Sequence, residues 1–120
     1  MNYIATTLIL GIALLHLYIL WLEMFAWTTH AKKVFRNFPA HLFEPTRAMA
    51  ANQGLYNGFL AAGLLWSLLI SNPDWAKNVA SFFLTCIAIA GLYGARSVSK
   101  RILYVQTLPA LAALLALFLL

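Results

Sequence analysis

The chain has 120 residues, 63% of them apolar and only 9% charged, with a formal charge of +5. So little polar surface cannot cover a soluble globule, so the composition predicts a chain that lives in lipid and leaves no room for a separate water-soluble domain. The basic residues flank apolar stretches and form neither a long run nor an aromatic-basic face, which argues for anchoring of loops and against nucleic acid as a partner.

A helix crossing a hydrocarbon core of about 30 Å needs roughly 20 residues, so four crossings with short connections use nearly the whole length. The expectation is an all-α protein, a four-helix transmembrane bundle forming one domain over residues 1–120. The first span runs over about residues 3–27. It lacks the basic segment of a signal peptide and is too long for a signal's apolar core, so it is expected to be retained. Thr28, Thr29 and His30 mark its end before the basic pair Lys32 and Lys33. Lys32, Lys33, Val34, Phe35, Arg36 and Phe38 then suit a short interfacial helix with basic and apolar sides. The second span, about 45–70, starts near Glu44 and Pro45, where a proline fits a first helical turn because its missing N–H would be unpaired anyway. Ser71, Asn72, Pro73 and Asp74 repeat that start signal for a third span, about 75–95. The fourth, about 99–120, contains Pro109, expected to free the carbonyl of Val105 and bend the helix beside Gln106. The single cysteine, Cys86, falls in an apolar stretch, so neither an intramolecular disulfide nor a thiolate metal cluster is expected.

Orientation follows from charge. Lys32, Lys33, Arg36 and Arg47 flank the first connection and Arg96, Lys100 and Arg101 the third, whereas the second holds only Lys77. Seven against one places the first and third connections in the cytoplasm and both termini on the non-cytoplasmic side. Trp66 and Trp75 then anchor the outer interface and Trp27 the inner one.

Ionisable groups inside lipid are costly and need a reason. The first span carries His16 near its middle and Glu23 seven residues on, about 10.5 Å along the axis and on nearly the same face. They are aligned but too far apart to touch. The second span carries the run Asn52, Gln53, Gly54, Leu55, Tyr56, Asn57 and Gly58, in which Asn52 shares a face with Tyr56 and Gln53 with Asn57. The third adds Tyr93 and Arg96, the fourth Gln106 and Thr107. Placed by depth, these groups fall in the cytoplasmic half of four different helices, which predicts a cytoplasm-facing polar pocket with His16 at its floor. Gly54, Gly58 and Ala62, Ala90 and Gly94, and Ala112 and Ala116 recur at four-residue spacing and permit close approach of backbones.

Each of these residues also has a plain structural reading. Glu23 is either an interfacial carboxylate that reaches water or pairs with Lys32, Lys33 or Arg96, or a buried acid able to exchange a proton. His16, too deep to reach the interface, is either satisfied across the bundle by a tyrosine or asparagine, or a partner in proton transfer. Asn52, Gln53 and Asn57 are either interhelical glue or ligand contacts. His30 and His41 belong to a connection, so bis-histidine haem ligation is not expected, and no metal cluster, phosphate loop or nucleophile motif is present. No cofactor can be named.

The stretches His16 to Ile19, Leu22 to Phe25, Trp27 to Thr29, Ala51 to Leu64, Ala90 to Ala95, and Gln106 with Leu108, Pro109 and Ala110 resemble a family of small bacterial membrane proteins of this length known only as a domain of unknown function. The Asn52-to-Gly58 run is its most specific part. The resemblance implies a multi-pass protein of the bacterial inner (plasma) membrane and supplies no activity. In length, and in one acid on the first span, the chain is also similar to the small multidrug resistance family, whose dimers share that acid as proton and drug site. It departs from that family's dual-topology members in its charge bias and its amide-rich second span. Three functions stand open at this point. The first is binding of a small lipophilic molecule, with acid/base chemistry by Glu23 and His16 and with Asn52, Gln53, Tyr56, Asn57, Tyr93, Arg96 and Gln106 orienting the ligand. The others are a small proton-coupled exporter working as a homo-oligomer, and an assembly partner without a ligand.

Overall fold

The computed structural model describes residues 1–120 as helices joined by turns, with no strand. Five α-helices succeed one another: α1 (Tyr3–Phe25), α2 (Ala31–Val34), α3 (Arg47–Leu69), α4 (Pro73–Ser97) and α5 (Leu108–Leu119). A 3₁₀ turn, Ala40–Leu42, precedes α3, and a π-helical turn, Leu103–Thr107, leads into α5. Two helices, α1 and α4, are long and apolar enough to cross a membrane by length and composition, with mean hydropathies of 2.1 and 1.6. The polar run from Asn52 to Asn57 keeps the equally long α3 out of that class.

The chain divides into two compact units, Leu14–Ala61 and Met1–Ala13 with Ala62–Leu120. In the first, α1 and α3 run antiparallel, since Gly54 lies against Leu20, Glu23 and Met24 while Gly58, one turn on, lies against Leu20. The connection joining them is organised around Trp27. Its ring packs on Phe35, Phe38 and Phe43 with centroids 5.0–5.7 Å apart, over a core of Leu22, Ala31 and Phe43. Trp27 Nε1 donates to Thr46 Oγ1 at 3.0 Å, and that hydroxyl donates on to the Leu42 carbonyl at 2.7 Å. The expected interfacial helix is therefore only the four residues of α2, followed by a turn that brings Phe35 and Phe38 inward. Pro45 lies in the turn before α3 and not in its first helical turn, because Thr46 closes that turn back onto Leu42.

In the second unit the α4 start signal is used as the sequence suggests. Asn72 Oδ1 accepts from the N–H groups of Asp74 and Trp75 at 3.0 and 3.1 Å, ahead of Pro73 in the first turn. The bend expected at Pro109 takes the form of the π turn, in which the Leu108 N–H reaches the Leu103 carbonyl. Proline offers no N–H to Val105, and widening the preceding turn is one way a helix absorbs that loss. The turn is pinned to α4 by Thr107 Oγ1, which donates to the Ala88 carbonyl at 3.0 Å. Only a glycine at position 91 admits this contact, because a Cβ there would overlap Thr107 Oγ1 and approach its backbone N to 2.8 Å. Small buried residues continue the seam, with Ala76, Ala80 and Ala88 on α4 and Ala110, Ala113 and Ala116 on α5.

Gly91→Ala is expected to lower stability by about 1–3 kcal/mol through overpacking. Gly11→Ala, where nothing lies within 4 Å of the added Cβ, is expected to be neutral or stabilising by up to about 1 kcal/mol. Comparison of the two thermal unfolding midpoints with wild type checks both.

Candidate functional site

The strongest polar constellation lies within Leu14–Ala61. Glu23 sits near the end of α1 and is only 5% exposed. Its Oε2 accepts from Gln53 Nε2 at 2.9 Å and its Oε1 from Asn57 Nδ2 at 2.7 Å. Asn57 Nδ2 also donates to the backbone carbonyl of Gln53 at 3.2 Å, so both of its N–H groups are spent inside the cluster. Gln53 and Asn57 can both reach the same carboxylate because they are one turn apart on α3, and because Gly54 between them removes the side chain that would hold α3 away from Glu23 and Met24. A short side chain such as asparagine spans the gap only when backbones come this close.

Neither Lys32 nor Lys33 forms an ion pair with Glu23, which disposes of those two partners for an interfacial carboxylate. The ion pair of this unit is a loose, exposed one, Arg47 with Glu44 at 3.8 Å. Glu23 is thus held by neutral amide donors. Two open apolar grooves of about 290 and 380 Å³ are lined by Tyr3, Ile4, Thr7 and Leu8 and by Leu111, Leu114, Leu115, Phe118 and Leu119, and neither includes Glu23.

Of the other residues singled out from the sequence, His16 is completely buried on α1, seven residues before Glu23. Asn52 and Tyr56 lie on the exposed side of α3, where the Tyr56 ring packs on Phe59 at 5.9 Å. Tyr93 and Arg96 are exposed on α4, and Gln106 is half-buried in the π turn. The structure therefore brings together Glu23, Gln53 and Asn57, and separates the polar run of α3 into a pair that meets Glu23 and a pair, Asn52 and Tyr56, on the exposed side. The two amides differ: Asn57 is buried at 8% exposure, whereas Gln53 stands at the surface. One group that the sequence did not bring together belongs to the same unit. Tyr18, Trp21 and His30 form an exposed cluster, with the Tyr18 hydroxyl 3.5 Å from His30 Nε2 and the Trp21 and His30 ring centroids 5.4 Å apart. The three-residue spacing of Tyr18 and Trp21 was a visible signal; the return of His30 after the end of α1 was not.

The sequence pattern of a family described as Protein of unknown function (DUF1304) matches residues 10–118. The chain is also 31% identical over 122 residues to the Uncharacterized protein YpaA of Lactococcus lactis subsp. lactis (strain IL1403), covering 98% of this chain and 99% of that protein. No solved structure matches.

Replacing Asn57 by leucine leaves one carboxylate oxygen buried without its closest donor and is expected to cost about 2–3 kcal/mol, whereas Gln53→Leu, at an exposed position, is expected to cost under about 1 kcal/mol. Equal losses in the unfolding free energies of the two variants would refute this division of roles.

Proposed function

The chain belongs to the DUF1304 family of proteins of unknown function, and from that premise we propose that it is a four-span membrane protein in which Glu23, clamped by Asn57 and gated by Gln53, binds a small lipophilic molecule. The spans are α1, α3, α4 and the π turn with α5. Several features support a lipid environment. Of the most apolar stretches of α1 and α4, only 33% and 28% are buried, which is unlike the core helix of a soluble protein. Large apolar side chains stand open, among them Phe25 at 72%, Leu69 at 82%, Phe82 at 64% and Leu115 at 59%. Soluble monomers rarely expose apolar surface on this scale. The charge bias of the connections supports cytoplasmic first and third connections with both termini on the other side, in a bacterial inner membrane.

The observation that carries the ligand reading is the asymmetry of the amides around one buried carboxylate. Asn57 has no N–H left and is fixed. Gln53 contributes a single bond from the surface, and its side chain can turn away without unfolding anything. A ligand that donates an N–H or O–H takes the place of Gln53 on Glu23 Oε2, keeping the carboxylate satisfied, and its apolar body lies against the lipid-facing side of α3. In this reading Glu23 also serves as the acid or base toward such a ligand, with His16, buried seven residues before it on α1, as the second proton-transfer group. Tyr56 and Asn52, exposed on α3, are available to a ligand arriving from the bilayer.

Native mass spectrometry of protein extracted gently from its own membrane is expected to show a stoichiometric small molecule that is lost in Glu23→Gln and reduced in Gln53→Leu, with both variants still folded by circular dichroism. A wild-type protein that carries no ligand and binds none from a lipid extract overturns the binding reading. For the membrane arrangement, Lys33→Cys and Ser71→Cys in a Cys86→Ser background are expected to label from opposite sides. The position-71 thiol should react in intact cells and the position-33 thiol only after permeabilisation; the reverse pattern would invert the orientation.

A further inference from the structure

The connection from Ala26 to Thr46 is long for a link between two antiparallel helices, and it is built from turns, the short α2 and a 3₁₀ turn. Its apolar residues face inward around Trp27, and its cations face outward: Lys32, Lys33 and Arg36 are all exposed. Arg36 Nε donates to the Lys33 carbonyl at 3.1 Å, which folds the guanidinium back over the turn that carries Lys33 and leaves its two Nη groups for another acceptor. No acid of this unit answers these charges, since Glu23 is held by the two amides and Glu44 lies beside Arg47. Three exposed cations thus stand on the connection after α1, and no acid of this unit pairs with them.

We propose that Lys33 and Arg36, with Lys32 beside them, bind the phosphate of an anionic phospholipid headgroup in the leaflet that the first connection faces. This assignment rests on the membrane reading above. A guanidinium held by its Nε presents its remaining donors to phosphate oxygens as a planar fork, while the flexible lysines contribute point charge. The aromatic base places these groups at headgroup depth, where tryptophans such as Trp27 are commonly found and where basic residues next to a span engage acidic lipid. The source of the phosphate is lipid and not solute because the charges sit on a platform continuous with α1, at the level where headgroups are present at high local concentration.

The test uses the full chain in nanodiscs made from equal amounts of phosphatidylglycerol and phosphatidylcholine, with the lipids that stay bound after release read by native mass spectrometry. Wild type is expected to retain phosphatidylglycerol over phosphatidylcholine, and the double variant Lys33→Gln, Arg36→Gln to lose that preference by roughly 30-fold, as removal of two cations at an anionic surface implies. The variant Lys100→Gln, Arg101→Gln, which removes the same charge from a different connection, is expected to keep it. Equal retention of the two lipids by wild type, or loss of preference in the second variant and not the first, overturns the assignment. Displacement of phosphatidylglycerol by millimolar inorganic phosphate would show that free phosphate is the ligand and overturn it likewise. A chain that stays dispersed in buffer without detergent and does not enter the nanodisc refutes the membrane reading itself.

Discussion

A carboxylate taken out of water without a cation beside it costs several kcal/mol unless hydrogen bonds replace its hydration. Glu23 is in that position, and much of the Leu14–Ala61 unit is arranged to meet its demand. Two amide donors have to approach from α3, and one of them is asparagine, whose side chain is too short to bridge helices at ordinary separation. Gly54 and Gly58 solve the distance, one turn apart, against Leu20, Glu23 and Met24. The buried positions of α3 up to the end of this unit, Ala50, Gly54, Asn57 and Ala61, step by four, three and four residues, which is the spacing of one helix face. The small residues and the amides are therefore parts of one seam. A larger residue at 54 would break the hydrogen bonds at 53 and 57 without touching either side chain.

The same unit is fixed from a second side by Trp27. The indole closes the end of α1 over Phe35, Phe38 and Phe43, and through Thr46 it ties the entry to α3. The glycine seam sets the separation of the two helices, and the indole-to-hydroxyl bond sets where α3 begins relative to α1. Both are needed, because a shift of one residue in α3 would rotate Gln53 and Asn57 about 100° away from Glu23. The apolar interior of the connection also explains why its cations have no alternative to the surface.

Much of this was legible in the sequence, and the parts that were not share a physical reason. The helical stretches α1 and α4 follow from apolar length, and the Asn72–Pro73 start of α4 from capping chemistry, because both are local. The end of α1 was placed at Trp27, whereas the helix stops at Phe25, since Trp27 leaves the helix to become the centre of a cluster whose other rings come from eight to sixteen residues later. Pro45 looked like a helix start until Thr46 found Leu42. For the polar run of α3, the four-residue spacing correctly paired Asn52 with Tyr56 and Gln53 with Asn57. Which pair would face Glu23 depends on the rotation of α3, and that is decided by the close approach at Gly54. Periodicity gives faces; only packing says which face is inside.

That rotation is also what separates glue from a site. Interhelical amides whose sole task is to hold two helices together gain most when every donor is buried and spent, as Asn57 is. Gln53 departs from that pattern, because it supplies the second donor to the same carboxylate from an exposed position, where water or a ligand can compete for the bond. The geometry gives Glu23 one buried donor in Asn57 and one exposed donor in Gln53, and the ligand reading we propose rests on that difference.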